Sequence, residues 1–261
     1  MTTRVMGILN VTPDSFFDGG QLYTDGKVNL ELVKNKVSKM IEDGADIIDV
    51  GGESTRPGCE PVDVGDELQR VIPVVTMIKS TFNIPISVDT YKSVVARAAI
   101  EAGADMINDI GMMEKDPDMI KVIASSNVKY VLTHNKESYV NLKEELLEVA
   151  KSIESQGVKK ENIILDPGIG FNKTYEDNLR EIAQIDFLCK TGYPVLLGAS
   201  RKSFIREALM EIGDTTPEQR LNGTLATTVW AVMSGAAYVR VHDIKENKEA
   251  ICVAQAILNR K

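Results

Sequence analysis

The chain has 261 residues, 43% of them hydrophobic and 26% charged, and a formal net charge of −8. This is ordinary globular material, with apolar residues enough for one large core or two small ones, and it argues against disordered and membrane classes. The acidic balance argues against a general nucleic-acid binder, which needs a basic face, but is compatible with an anionic small substrate held in a local basic pocket.

The opening MTTRVMGILNVTPDSFF carries a short apolar run without a cleavage-site pattern. No apolar run reaches the roughly 18 residues of a membrane span, so a cytoplasmic protein is expected. Strands are predicted near residues 4–10, 45–51, 84–89, 104–108, 128–133, 162–166, 194–199 and 237–241, where apolar runs of strand length occur. Between them lie amphipathic stretches such as VNLELVKNKVSKMIEDG, DVGDELQRVIPVVTMIKS and LKEELLEVAKSIESQG, with apolar residues at three- and four-residue spacing. KENKEAICVAQAILN reads as the helix after the last strand.

A weak repeat supports this parsing. IEDGADIIDV, IEAGADMINDI and MSGAAYVRVHD share a helix end, a glycine and then an apolar strand closing on polar residues. Gly44, Gly103 and Gly235 fit positions where a left-handed backbone ends a helix. The expected fold class is therefore α/β, a (β/α)8 TIM barrel forming a single domain over residues 1–261. A doubly wound sheet is the rival. It is disfavoured because no G-x-G-x-x-G turn follows the first strand and no P-loop occurs. Cys59, Cys189 and Cys252 follow no CxxC spacing and read as reduced structural thiols.

The ends of the predicted strands carry Asn10, Asp49, Asp89, Asn108, His134, Asp166, Ser200, Arg240 and His242. In a barrel of this class that rim gathers the catalytic groups, whereas the opposite rim serves stability. Singly, Asp89 or Asn108 also fits a helix N-cap. The loops after the strands are as distinctive. GILNVTPDSFFDGG brings Asn10, Asp14, Ser15 and Asp18 together, and GGESTRPG combines glycines with Thr55, Arg56 and Pro57. DPGIGF sets Asp166 and Phe171 on a glycine-bracketed turn, and GASRKSF places Arg201, Lys202 and Ser203 at a helix start, where anions are favoured; Arg201 also fits a plain surface charge.

Carboxylates, an amide and a lysine suit a flat heterocycle rich in N–H donors and ring acceptors. Arg240 and His242, separated by one residue, point the same way along a strand and suit a phosphate. Asn10 and Asp18 offer oxygens of the kind Mg2+ prefers, too few to hold it without substrate phosphates.

Taken together, GILNVTPDSFFDGG, DVGGESTRPG, ISVDTYK, GADMINDI, ILDPGIGF, LLGASRKSF and YVRVHD resemble the dihydropteroate synthases over most of the chain. The resemblance implies condensation of 6-hydroxymethyl-7,8-dihydropterin pyrophosphate with p-aminobenzoate, giving 7,8-dihydropteroate and pyrophosphate for folate biosynthesis. It implies Asp89, Asn108, Asp166 and Lys202 around the pterin, with Asn10 meeting Mg2+ and the pyrophosphate. Thr55, Arg240 and His242 also take the leaving group. Asp18, Arg56, Pro57, Phe171, Lys202 and Ser203 form the p-aminobenzoate pocket, and the first two loops close over the site.

The implied mechanism is ionisation of the pterin–pyrophosphate C–O bond and attack by the arylamine, with Asp89, Asp166, Lys202, Arg240 and His242 as the catalytic set. The resemblance also suggests a homodimer through the last helices, although TTVWAVMSGAA equally suits an internal helix. One segment departs from the pattern. Where the family often has a Met-His-Met-Gln-Gly type sequence, this chain has LTHNKES, keeping His134 but placing Asn135 and Lys136 after it. Two rivals are a pterin-binding methyltransferase and a non-catalytic pterin-binding protein; retention of STRPG, SRKS and RVH argues against the first.

Overall fold

The computed structural model describes residues 2–13, 22–54, 61–136 and 141–260. The chain begins with strand β1 (Arg4–Asn10), a short ribbon of β2 (Tyr23–Thr24) and β3 (Lys27–Val28), and helix α1 (Leu30–Glu42). Strand–helix units follow: β4 (Ile47–Gly51) and α2 (Val64–Thr81), β5 (Ile86–Asp89) and α3 (Ser93–Glu101), β6 (Met106–Asp109) and α4 (Met119–Ala124). Next come β7 (Lys129–Thr133) and α5 (Leu142–Ser155), then β8 (Ile163–Asp166) with α6 (Tyr175–Ala183) and α7 (Ile185–Cys189). The last units are β9 (Leu196–Leu197) with α8 (Ser203–Leu209) and α9 (Leu221–Ser234), and β10 (Tyr238–Val241) with α10 (Ile244–Leu258).

Eight parallel strands are ordered β8-β7-β6-β5-β4-β1-β10-β9. A parallel bridge between Leu165 and Val195, with the Leu165 N–H donating to the Pro194 carbonyl at 2.9 Å, joins β8 to the β9 segment and closes the ring. The fold is the expected (β/α)8 barrel. Its most shortened strand is β9, which pairs with β10 only through Leu196 and Leu197 rather than over 194–199. Among the described residues no helix is long and apolar enough to cross a membrane.

Side chains along each strand alternate between the helix layer and the barrel interior. Val5, Leu9, Ile48, Val50, Ile86, Val88, Ile107, Ile163 and Leu165 face outward into the main core. Met6, Ile47, Met106, Val131, Ile164, Leu196 and Tyr238 form a separate apolar layer inside the ring. Two residues further along the same interior face stand Asp49, Asn108, Asp166 and Arg240, so the alternation that packs the barrel floor delivers a polar layer to its C-terminal mouth.

The sequence repeat has a structural cause at the opposite rim. Asp46 accepts from the Val5 N–H at 2.8 Å and from Lys248 at 2.8 Å. Asp105 accepts from the Ile86 N–H at 3.0 Å and from Lys79 at 3.2 Å. Each Gly-Ala-Asp turn thus ties a helix end to the next strand over; Gly44 and Gly103, at φ +100° and +107°, meet the left-handed requirement. This is a stability role, as the N-terminal rim of a barrel leads one to expect.

Helices α9 and α10 are joined by a polar pair in an apolar setting. The fully buried Asn247 accepts from the Thr228 hydroxyl at 2.6 Å and donates to the Asp243 carbonyl at 2.7 Å. Asn247→Ala strands the buried Thr228 hydroxyl, while the Asp243 carbonyl keeps the backbone N–H of residue 247 at 3.2 Å, and the change is expected to lower unfolding free energy by about 1–3 kcal/mol in urea titration. An unchanged midpoint would show that the pair contributes nothing net.

Candidate active site

Arg240 organises the mouth of the barrel. Its Nε donates to Asp49 Oδ2 at 2.6 Å and its Nη2 to Asp89 Oδ2 at 2.8 Å, while Asn108 Nδ2 donates to the same Asp49 oxygen at 3.2 Å. One guanidinium from β10 thereby fixes carboxylates from β4 and β5, and Asp49 fixes the amide from β6. Asp49 Oδ1 and Asn108 Oδ1 are buried without a hydrogen-bond partner among the described residues. Buried acceptors in that state favour a ligand that brings N–H donors. Asp89 is a strand end and not a cap, since α3 starts after Lys92.

Asp166 and Lys202 form the other side. Asp166 Oδ1 accepts from the Gly168 N–H at 2.7 Å. Burial raises its pKa, opposed by that hydrogen bond and by Lys202, Lys173 and Arg240. Lys202, at the N-cap of α8, donates from Nζ to the Ile169 carbonyl and lies 4.3 Å from the Phe171 ring centroid. Burial lowers its pKa to about 8, even though Asp166 pulls it up. Ser203 opens α8 and is exposed.

His242 and Ser200 meet at 3.0 Å between Nδ1 and Oγ, and the His242 N–H donates to the same hydroxyl at 3.2 Å. Arg201 is a brace: its guanidinium holds Asp243 through two bonds of 2.9 and 2.5 Å. Asn10 ends β1, and its Oδ1 lies 3.4 Å from the point where a Gly51 Cβ would stand, so that glycine leaves the amide room at the mouth. Asp14, Ser15, Asp18, Thr55, Arg56, Pro57 and Cys59 lie outside the described residues.

Residues 132–136 of the departing segment are woven into the rim. His134 is fully buried, its Nε2 3.3 Å from Glu145, and burial together with nearby Lys173 lowers its pKa to about 4, so it is neutral at physiological pH. Asn135 donates to the Ile110 carbonyl at 2.8 Å and accepts from Asn172 at 3.1 Å. Lys136 pairs with Glu114 at 3.0 Å and Glu145 at 3.2 Å. These residues tie together the loops after β6, β7 and β8.

A second cluster was not evident from spacing. Lys92 donates to Glu53 and, at 2.5 Å, to Glu67, and the Tyr91 hydroxyl reaches Glu53 at 3.2 Å. Arg70 holds the Gly52 carbonyl at 2.9 Å. The stem of the loop after β4 is thereby anchored to the stem after β5. The only sequence signal was the presence of Glu53 and Lys92 inside quoted motifs. A cavity of about 320 Å3 lined by Leu142, Glu181 and Phe187, among others, lies on the barrel flank and shares no residue with the mouth.

Burial raises the Asp89 pKa to about 7, with Arg240 opposing and Asp49, Glu67 and Asp109 adding to the shift. Carboxyl 13C NMR of the ligand-free protein is expected to find this titration, and Arg240→Ala to move it upward. The folded carboxyl holds its proton where the unfolded chain has released it, so its contribution to stability is complete below about pH 4 and fades toward neutrality. A parent titration below about pH 5 would contradict this environment for Asp89.

The chain matches a family model described as pterin binding enzyme over residues 6–242. It is 49% identical to a dihydropteroate synthase of Clostridium beijerinckii over 99% of this chain and 95% of that protein. A Clostridium difficile dihydropteroate synthase crystallised in the presence of pteroic acid is 43% identical, with a TM-score of 0.89 over 98% of this chain and 97% of that one. A Xanthomonas albilineans dihydropteroate synthase with 4-aminobenzoic acid is 40% identical, with a TM-score of 0.89 over 98% of this chain and 94% of that one. With this agreement along nearly its whole length, the chain belongs to the pterin binding enzyme family, among the dihydropteroate synthases.

Proposed function

We propose that residues 1–261 act as one domain that condenses 6-hydroxymethyl-7,8-dihydropterin pyrophosphate with p-aminobenzoate, releasing pyrophosphate and 7,8-dihydropteroate. The observation that carries this reading is the set of acceptors at one mouth: Asp49, Asp89, Asn108 and Asp166, two of them with unpartnered buried oxygens, beside Arg240 and Lys202. A pterin supplies N–H donors to match. Asp89, Asn108 and Asp166 bind its edge, and Lys202 donates to a ring acceptor.

Arg240 has five N–H donors, of which Asp49 and Asp89 engage two, leaving others for the pyrophosphate with Thr55 and His242. As the C–O bond breaks, its electron pair leaves with the pyrophosphate and the methylene becomes cationic. Asp89 and Asp166 favour that positive pterin electrostatically. The amine of p-aminobenzoate, held among Asp18, Arg56, Pro57, Phe171, Lys202 and Ser203, attacks the methylene and then loses a proton.

Among the described residues no cluster of His, Cys, Asp or Glu is able to hold a metal by itself. The single amide oxygen of Asn10 fits Mg2+ only as a partial ligand completed by substrate phosphate oxygens and water. Bound there, Mg2+ would offset charge on the pyrophosphate.

The outer faces of α9 and α10 expose Val229, Trp230, Met233, Val253 and Ile257, and the two helices pack side by side. These exposed apolar residues on two packed helices support a homodimer. Synthesis in the cytoplasm is the matching location.

The test is purified protein with the pterin pyrophosphate, p-aminobenzoate and Mg2+, following both products. Equal formation of pyrophosphate and dihydropteroate is expected; neither product forming would overturn the reading. Asp166→Asn is expected to lower turnover by about 10²-fold or more with the fold retained, as for loss of one preorganised electrostatic group. Near-normal turnover would remove Asp166 from the catalytic set.

A further inference from the structure

Lys173 lies between two rim loops and takes no part in the reaction described above. Its Nζ donates to the carbonyls of His134 at 3.1 Å, Gly168 at 3.1 Å and Phe171 at 3.3 Å. An ammonium has three N–H donors, so these carbonyls use them all and none remains for a substrate. His134 and Gly168 are buried, so their carbonyls need donors from the protein: Gly168 also accepts from the Phe171 N–H at 3.1 Å, while His134 relies on Lys173.

The loops it joins are in close contact. Gly168 sits at φ +69°, and a Cβ there would stand 1.9 Å from the His134 carbonyl oxygen. Asn178 of α6 holds the Gly170 N–H at 2.6 Å, so the turn is gripped from both sides. The same turn governs two groups of the mouth. The Gly168 N–H orients Asp166, while the Ile169 carbonyl receives Lys202 and the Phe171 ring lies beneath its ammonium. A Cβ on Gly170 would come within 2.6 Å of Lys202 Cδ, so the backbone itself forms the seat of that lysine.

We propose that Lys173 is a positioning residue: by gathering the carbonyls of His134, Gly168 and Phe171 it fixes the DPGIGF turn, and thereby the placement of Asp166 and Lys202 toward the pterin. This rests on the function proposed above. A cation is suited to the place because three carbonyl dipoles converge there; a neutral apolar side chain would take the Lys173 donor from the His134 and Phe171 carbonyls and leave Gly168 with the Phe171 N–H alone. Burial lowers the Lys173 pKa to about 8, with Asp166, Glu181 and Asp177 pulling it up.

The experiment compares Lys173→Met, Lys173→Arg, Asp166→Asn and the Asp166→Asn/Lys173→Met double variant. Turnover, pterin affinity by calorimetry and the melting midpoint are measured for each. Lys173→Met is expected to lose about 10²-fold in turnover, as for a small misplacement of reacting groups, with pterin affinity falling alongside. In the Asp166→Asn background the same change is expected to cost much less, because the two residues act along one path. Parent-like turnover and affinity in folded Lys173→Met would overturn the proposal, as would full additivity in the cycle. Should Lys173→Met not fold, Lys173→Arg decides. Its planar fork keeps the charge but cannot address three converging carbonyls, and a loss of about tenfold in turnover at an unchanged melting midpoint is expected. A parent-like arginine variant would overturn the proposal. A parent protein that neither binds pterin nor turns over would instead overturn the functional reading.

Discussion

Everything at the mouth depends on the ion pairs that Arg240 makes with Asp49 and Asp89. Carboxylates facing one another inside a barrel repel, and each has lost most of its hydration, so they stay in place only if a cation satisfies them. A guanidinium is the suitable cation because its rigid fork addresses two oxygens from different strands at once. The pairing draws β10, β4 and β5 into one constellation, and Asp49 extends it to Asn108 on β6. Asp166 and Lys202 complete the ring from β8 and the start of α8. With three carboxyl groups against two cations, the mouth has a negative bias when all are ionised, which suits a ligand that becomes positive as it reacts.

The barrel makes this arrangement economical in sequence. Interior positions repeat every second residue, so an apolar residue at the floor and a polar one at the mouth need only be two apart on the same strand. Ile47 and Asp49, Met106 and Asn108, Ile164 and Asp166, and Tyr238 and Arg240 all follow that rule. Chemistry and packing are therefore carried by different positions, and loops such as DPGIGF vary the mouth without disturbing the floor. The loops are in turn braced by groups whose bonds are to the protein itself: Asn135 and Lys136 across the departing segment, Lys92 at the stem of the loop after β4, and Lys173 on the carbonyls of the DPGIGF turn.

The strands, the barrel and the residues at strand ends were legible in the sequence because they follow from local periodicity. Gly44, Gly103 and Gly235 marked helix ends for the same reason, and all have positive φ. What was not legible depended on partners distant in the chain. Asp49 was visible as a strand-end carboxylate, but its bond to Arg240 spans 191 positions. Arg201 read equally well as an anion ligand or a surface charge until Asp243 was seen to hold it. The departure of LTHNKES from the Met-His-Met-Gln-Gly type sequence gave no partner for Asn135, and only the fold shows it reaching Ile110 and Asn172. The shortness of β9 likewise follows from its neighbours, since it pairs with β10 for two residues and closes on β8 through the preceding backbone.

The most direct test of the account is a crystal structure of the protein with pteroic acid, joined to calorimetry of the same complex. The account predicts the pterin ring inside the barrel mouth, its N–H groups on Asp89, Asn108 and Asp166 and its edge at Lys202, with the benzoate end toward Phe171 and Ser203. A ring bound elsewhere, for instance in the cavity on the flank, or one that leaves the Asn108 oxygen without a donor, would contradict it.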